Sequence, residues 1–493
     1  MRSMARTVHL ASRLAIAAAS ALAVVLALGA TACRTKLELP EDHTETTPPV
    51  TTVPLPGTAT ADRPAADPPP GVARVVDTID PGRIRKDVDR LAAFGTRHTL
   101  SDTESTTRGI GAAREWIATR MREASVPREG APPLSVAFDR HRITADGKRV
   151  TRDVDVVNVL ATLPGVVEGA AARHYYVVAH YDSRASDPLD ATSDAPGAND
   201  DGSGVAVLLE LARILAPRRL DATVVLMATA GEEQGLLGAR AHAKAAVARK
   251  VDIRGVLSFD IVGDPRMPDG PARADVIRLF SEGLPANASD TAALRMQGAE
   301  SDSISRELAR HIATLAGWHA APVRPMLVFR PDRFLRGGDH TPFNELGIAA
   351  VRFTELGENY DRQHQDVRTE GDRAFGDVPE LVDPQYVAGV TRLAATAILH
   401  LASAPSAPTD ARIVAKELGH ATELRWTPAP EADVAGYEVV WRATTAGEWE
   451  HVQDVGKAGS VTLAAHKDEH FFGVRSYDEE GFRSQVAFCG VER

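Results

Sequence analysis

The chain of 493 residues is 44% hydrophobic and 25% charged, with 38 Gly, 31 Pro and two Cys, which excludes a wholly disordered, collagenous or disulfide-framework protein. Its 56 Lys and Arg against 67 Asp and Glu leave a net charge of −11. Without a long basic run it lacks the clustered positive surface that nucleic-acid phosphates demand, while its length allows more than one domain and at least one sizeable core.

Arg2, Arg6 and Arg13 precede an apolar run from Leu14 to Ala32, the pattern of an export signal over residues 1–32. Ala30-Thr31-Ala32 suits ordinary signal cleavage, and the same stretch ending in Cys33 resembles a bacterial lipoprotein box in which Ala30 replaces the usual Leu. Both patterns place the cut before Cys33. The protein is therefore expected to be exported, either as a cell-surface or periplasmic lipoprotein anchored at Cys33 or as a secreted protein. Membrane contact is expected only through this segment, whose length also approaches the ~20 residues of an uncleaved anchor helix. Cys489 is then a lone thiol, or pairs with Cys33 without any spacing rule to support it. Residues 33–77 read as a disordered tether: from Pro40 to Pro70, nine of 31 residues are Pro and seven are Thr, too little apolar surface to offset ordering. At about 3.1 Å per residue such a tether reaches roughly 100 Å.

Order is predicted to begin at Asp80-Pro81, an N-cap followed by Pro, with Ile84, Val88 and Leu91 on one helical face. A second helix spans Ile110 to Met121, and a hairpin turns at Asp146-Gly147. Next come strands at Asn158–Leu163 and Tyr175–Ala179, a helix at Gly204–Leu215, a strand at Ala222–Ala230, a helix at Leu236–Val247 and a strand at Val256–Val262. Residues 264–335 break this rhythm and read as an insertion beside the sheet. A strand at Ile348–Phe353 and a helix from Gln385 to Ala402 complete an α/β domain over 78–404, with a mixed, mostly parallel central sheet flanked by helices. Residues 405–493 read as a small all-β sandwich. The spacing of Trp426, Tyr437 and the Val474–Ser476 strand resembles a fibronectin type III module, with both aromatics filling its core.

Metal-type residues stand at the ends of several of these strands, where open α/β sheets assemble their sites. In His180-Tyr181-Asp182 the two polar side chains lie on one side of an extended chain, so Asp182 can hold one imidazole nitrogen while the other binds metal. Taken alone, a His at a strand end is more often a structural hydrogen-bonding residue than a ligand. The loop from Gly197 to Gly204 carries Asp200 and Asp201 into a helix, as a metal ligand or as an ordinary acidic cap. Glu232-Glu233 follows an apolar strand; its two carboxylates point different ways, one suited to a metal and one to proton transfer, unless both are simply solvated. Asp260 interrupts an apolar strand, where an unpaired carboxylate costs several kcal/mol, so it calls for a cation. His364 sits in the loop Gln363-His364-Gln365-Asp366.

The ordered set His180, Asp200, Glu232-Glu233, Asp260 and His364 resembles the co-catalytic dizinc aminopeptidases of the secreted bacterial leucyl type, over roughly residues 78–404. The resemblance implies two Zn2+, with Co2+ or Mn2+ also accommodated by this donor set. It makes Asp200 the bridge, His180 and Asp260 one half-site, and Glu233 and His364 the other. Glu232 becomes the general base and acid that handles the proton of an activated water, Asp182 orients His180, and a cis peptide joins Asp200 to Asp201. His340, in Gly338-Asp339-His340-Thr341-Pro342-Phe343, either contacts the oxyanion or is structural. Asp366 follows the last His at i+2, nearer than the acid of many relatives, which leaves the partner of His364 open. Peptides with a free α-amine are the implied substrates. Three alternatives stand beside this reading: a metallocarboxypeptidase that uses Arg330, Arg333 or Arg336 for a terminal carboxylate, a one-zinc glutaminyl-cyclase-like enzyme, and a non-catalytic surface protein whose sandwich engages a wall or protein partner.

Overall fold

A computed structural model describes residues 68–492 except 269, 286, 287, 417 and 418. The export signal, Cys33 and the tether as far as Asp67 lie outside the described residues. Helix α1 (Pro70–Val76) corrects the end of the tether: Pro70 is tolerated in the first turn, and Val72 and Val75 are buried in the main core, which offsets the cost of ordering the segment. In α2 (Pro81–Ala92), Asp80 accepts the Gly82 N–H at 2.8 Å, and Ile84, Val88 and Leu91 are fully buried. Helix α3 is Gly109–Ala124.

The central sheet contains β1 (Ser135–Ile143), β2 (Val154–Leu163), β3 (Arg173–His180), β4 (Thr223–Thr229), β5 (Asp252–Phe259), β6 (Val276–Ser281), β7 (Arg324–Val328) and β8 (Ala350–Thr354), in the order β1-β2-β4-β3-β5-β8-β6-β7. Strands β4, β3, β5 and β8 are mutually parallel neighbours, and antiparallel pairs flank them. The helices between the strands are α4 (Gly202–Leu215), α5 (Leu237–Ala248), α6 (Ala288–Met296), α7 (Ile304–Trp318) and α8 (Thr341–Asn344). Residues 264–335 are therefore not an insertion beside the sheet: they supply β6 and β7, the latter at one edge. Arg278 and Pro325 break the apolar run that would have announced these strands.

Alternation along β3 sends Tyr175, Val177 and Ala179 to the face covered by α2, α4 and α9 (Pro384–Ser403), and Tyr176 and Val178 to the face covered by α5 and α8. Helix α9 is apolar enough over its 20 residues to span a bilayer, yet it is buried as a core helix. Between β8 and α9 lies the hairpin of β9 (Arg368–Glu370) and β10 (Arg373–Phe375).

The C-terminal residues form two four-stranded sheets: β15 (Ser460–Leu463), β12 (Thr422–Thr427), β11 (Thr409–Val414) and β18 (Gly490–Glu492) in one, and β14 (His451–Asp454), β13 (Val434–Ala443), β16 (His470–Asp478) and β17 (Ala487–Phe488) in the other. Trp426, Tyr437, Phe472 and Cys489 share the core between them. This sandwich is joined to the α/β domain by buried charge. Asp302 pairs with Arg442 of β13 and, at 2.7 Å, with Arg310 of α7; Arg310 Nε donates to the Gly447 carbonyl at 2.7 Å, and Trp449 Nε1 donates to Glu307 at 3.0 Å. Arg483 lies 4.3 Å over the Trp318 ring.

Candidate active site

Parallel alignment of β4, β3, β5 and β8 puts their carboxyl ends along one edge, and the candidate residues converge there. His180 ends β3. Glu232 and Glu233 follow β4 through Gly231, whose φ of 77° makes the turn. Asp260 comes directly after β5 and does not interrupt it, as the sequence reading had it; its N–H donates to the Phe353 carbonyl as the chain leaves the sheet. Asp200 precedes α4, and the Asp200–Asp201 peptide is cis.

The two oxygens of Asp200 face different imidazoles: Oδ1 is 3.1 Å from His180 Nε2 and Oδ2 is 3.1 Å from His364 Nε2. His180 Nε2 is also 3.7 Å from Asp260 Oδ1, and His364 Nε2 is 3.1 Å from Glu233 Oε1. Two clusters of donor atoms, His180 with Asp260 and His364 with Glu233, thus share one carboxylate. Asp201 also has an oxygen within 4.8 Å of the His180 and Asp260 donors, but its carboxylate accepts the N–H groups of Gly204 and His180 and serves as the α4 cap.

The donor set fits zinc. It consists of imidazole nitrogen and carboxylate oxygen, and Glu233 Oε1 is buried without accepting a hydrogen bond. The electrostatics favour positive charge between the clusters. Against the burial that would lower them, the carboxylates around His180 hold its imidazole well above the usual range, and Glu233 and Asp200 raise His364 to about 10. Burial, with the charges of Asp260, Glu233 and Asp339, pushes the Glu232 carboxyl well up. Asp139, His141 and His242 form a third group, closed by its own hydrogen bonds: Asp139 Oδ2 accepts from both imidazoles at 2.8 Å and from Asn158 at 3.1 Å.

Asp182 takes on a second role, and His340 takes the structural one of its two alternatives. The Asp182 carboxylate accepts the backbone N–H groups of Glu232 at 3.2 Å and Glu233 at 3.1 Å; His180 Nδ1 instead donates to the Asp182 carbonyl at 3.1 Å, with the carboxylate 3.6 Å away. Asp182 therefore fixes the Glu232-Glu233 turn as well as His180. His340 does not line the cavity. Its Nε2 donates to the Pro331 carbonyl at 2.9 Å and so pins the 331–336 loop that does. Asp366, whose place beside His364 the sequence left open, exchanges hydrogen bonds with Ser186 at 3.0 and 2.9 Å, which ties the His364 loop to the loop after β3.

Sequence reasoning missed three supports. Arg352, fully buried on β8, lies 2.8 Å from Asp260 and 2.9 Å from Asp332. The Asp377 carboxylate accepts the N–H groups of Asn199 at 2.9 Å and Asp200 at 2.7 Å, and burial raises it to about 7. Arg97, also fully buried, donates to the carbonyls of Tyr181, Leu91, Pro196 and Gly197. Arg352 interrupts the apolar run Ile348–Phe353, a signal of the same kind as a buried Asp, whereas Arg97 sits in an ordinary polar stretch and meets its partners only in three dimensions.

Leu236, Ile261, Leu335 and His364 have φ of 60, 59, 56 and 54°. Left-handed backbone in side chains of this size costs about 1–3 kcal/mol each and gathers at working sites. A cavity of about 300 Å³ opens onto Asp200, Glu232, Glu233, Asp260 and His364.

Paired carboxylate and imidazole clusters at the carboxyl edge of a mixed α/β sheet define a metal-type site, and the comparisons specify its family. Residues 158–382 match the model of Peptidase family M28. A "Probable zinc metalloprotease" of Leptosphaeria maculans is 45% identical over 85% of this chain and 96% of its own length, and a protein of the same name from Pyricularia oryzae is 43% identical over 82% of each. Among solved structures, the LapA aminopeptidase of Legionella pneumophila is 18% identical over 66% of this chain and 74% of its own, with a TM-score of 0.47. A glutaminyl cyclase of Fimbriiglobus ruber is 20% identical over 65% and 95%, with a TM-score of 0.46. The chain belongs to peptidase family M28.

Proposed function

We propose that this protein is an exported zinc metallo-exopeptidase that removes N-terminal residues from peptides, with His180, Asp200 and Asp260 holding one metal ion and Asp200, Glu233 and His364 a second. The observation that carries this reading is the presentation of one Asp200 oxygen to each imidazole, with Glu232 on the wall of the same cavity. Zinc in such a site supplies a Lewis acid that polarises the scissile carbonyl and acidifies water. Glu232 takes the proton of the attacking water and returns it to the leaving amine, a role suited to a carboxyl whose burial raises its proton affinity. Asp182 holds the Glu232 and Glu233 backbone in place, and Asp377 shapes the loop that presents Asp200.

Export rests on the N-terminal signal pattern, and the lipid anchor on Cys33. The C-terminal sandwich is assigned as fibronectin type III-like on its two sheets and aromatic core. The test of function is release of p-nitroaniline from leucine p-nitroanilide by the purified protein, with and without chelator, and with Glu232→Gln. Chelator-sensitive release that the Gln variant loses supports the reading. No release by zinc-loaded protein on any peptide substrate refutes it.

A further inference from the structure

The walls of the cavity show what the substrate should carry. Its only carboxylates, Asp200, Glu232, Glu233 and Asp260, belong to the metal-type cluster and its proton-handling neighbour, whereas five arginines line the remainder: Arg149, Arg184, Arg333, Arg336 and Arg352. Two of these are committed. Arg352 is paired with Asp260 and Asp332, and Arg333 with Asp332 and Glu358. The other three retain donors: Arg149 gives one hydrogen bond to the Glu233 carbonyl, and Arg184 donates to the carbonyls of Ala185 and Ser186, 4.0 Å from Glu233 Oε2. Arg336 is exposed, and among the described residues its guanidinium has no hydrogen bond or ion pair. Leu236 and Leu335 supply the aliphatic side chains of the wall. Metal ions held by the clusters would offset their carboxylates and leave Arg149, Arg184 and Arg336 as the uncommitted charge of the wall.

We infer that this cavity selects substrates bearing a carboxylate close to the scissile bond, bound by Arg336 with Arg184 and Arg149 beside it. A guanidinium with free donors recognises a carboxylate bidentately, and three such guanidiniums line one cavity with the metal-type cluster. The inference rests on the peptidase reading and narrows its substrate class. Two sources supply the same chemistry: the side chain of an N-terminal Asp or Glu, or the terminal carboxylate of a short peptide.

The experiment compares kcat/KM of the zinc-loaded full chain within two matched pairs, glutamyl against glutaminyl p-nitroanilide and Leu-Leu against Leu-Leu-amide. At least one charged member is expected to exceed its neutral partner by about tenfold, the discrimination of one charge-assisted hydrogen bond, and the pair that does so identifies the source. Arg336→Ala should collapse that ratio, and Arg336→Lys should restore part of it. Equal rates within both pairs, with the neutral members turned over, overturn the inference and leave the peptidase reading standing. No chelator-sensitive turnover of any of the four overturns the peptidase reading, and this inference with it.

Discussion

Asp200 is the residue on which the site turns, because each of its oxygens serves a different imidazole. On the two-ion proposal, Asp200→Asn weakens a donor common to both clusters, and its metal content by elemental analysis is expected to fall by more than half relative to the parent chain. Glu232→Gln should behave differently. It keeps the ions, and kcat falls by about 10²–10⁴, the usual contribution of a positioned general base. Arg352 presents a third case. Its guanidinium stands between Asp260 and Asp332 at full burial, so Arg352→Met removes the one buried cation that these two carboxylates share. A loss of about 3–5 kcal/mol in urea unfolding is expected, as for other broken buried ion pairs.

At the scale of elements, each ligand-bearing loop begins where a parallel strand stops, so the spacing of the strands sets the spacing of the donors. Close packing holds this arrangement. A Cβ on Gly204 would lie 2.5 Å from the Phe259 carbonyl oxygen and equally near the Asp201 carboxylate, so α4 can approach the end of β5 only as glycine permits. Gly204→Ala is expected to cost about 1–3 kcal/mol in thermal or urea unfolding and to reduce metal retention on dialysis. These loops were readable in the sequence because His180 and Glu232 each follow an apolar run and Asp260 stands as a lone carboxylate within one, patterns local in the chain. What could not be read is long-range. Asp377 reaches Asp200 across 177 positions and Arg97 reaches Gly197 across 100, with no periodicity linking either pair. The strands β6 and β7 were hidden for a different reason: they lie toward the far edge of the sheet, where half-exposed positions admit Arg278 and Pro325. The start of the fold was misjudged because Pro-rich composition speaks for a tether up to the residue at which Pro70 opens a helix.

At the scale of the whole molecule, the sandwich and the α/β domain are one structure. Asp302, Glu307 and Arg310 on one side and Arg442 and Trp449 on the other are joined by buried polar bonds, so removing residues 405–493 leaves charged groups and the Trp318 ring without cover. Such a truncation is expected to be insoluble, whereas a freely tethered module would detach cleanly; expression and gel filtration distinguish the two. The boundary also carries a pH dependence. Burial, then the charges of Asp433, Asp478 and Glu480 in the C-terminal region, raise Asp221 from 3.8 to about 7. Between those values the folded chain keeps a proton that the unfolded chain has released, so stability falls as pH rises across that window. Asp221→Asn should accordingly raise Tm at pH 8 and leave it unchanged near pH 3.

The turn that seals this boundary also reaches the cavity wall. A Cβ on Gly447 would lie 3.6 Å from the Phe329 ring, which Arg306 and Arg310 cover at 4.4 and 5.2 Å, and Phe329 is the root of the segment leading to Arg333 and Arg336. In architectural terms the sandwich is a buttress to the specificity loop. Grafting between relatives should then cut ahead of Asp302 and not at Ala404, so that the loop, the helix behind it and the module that braces both are inherited together.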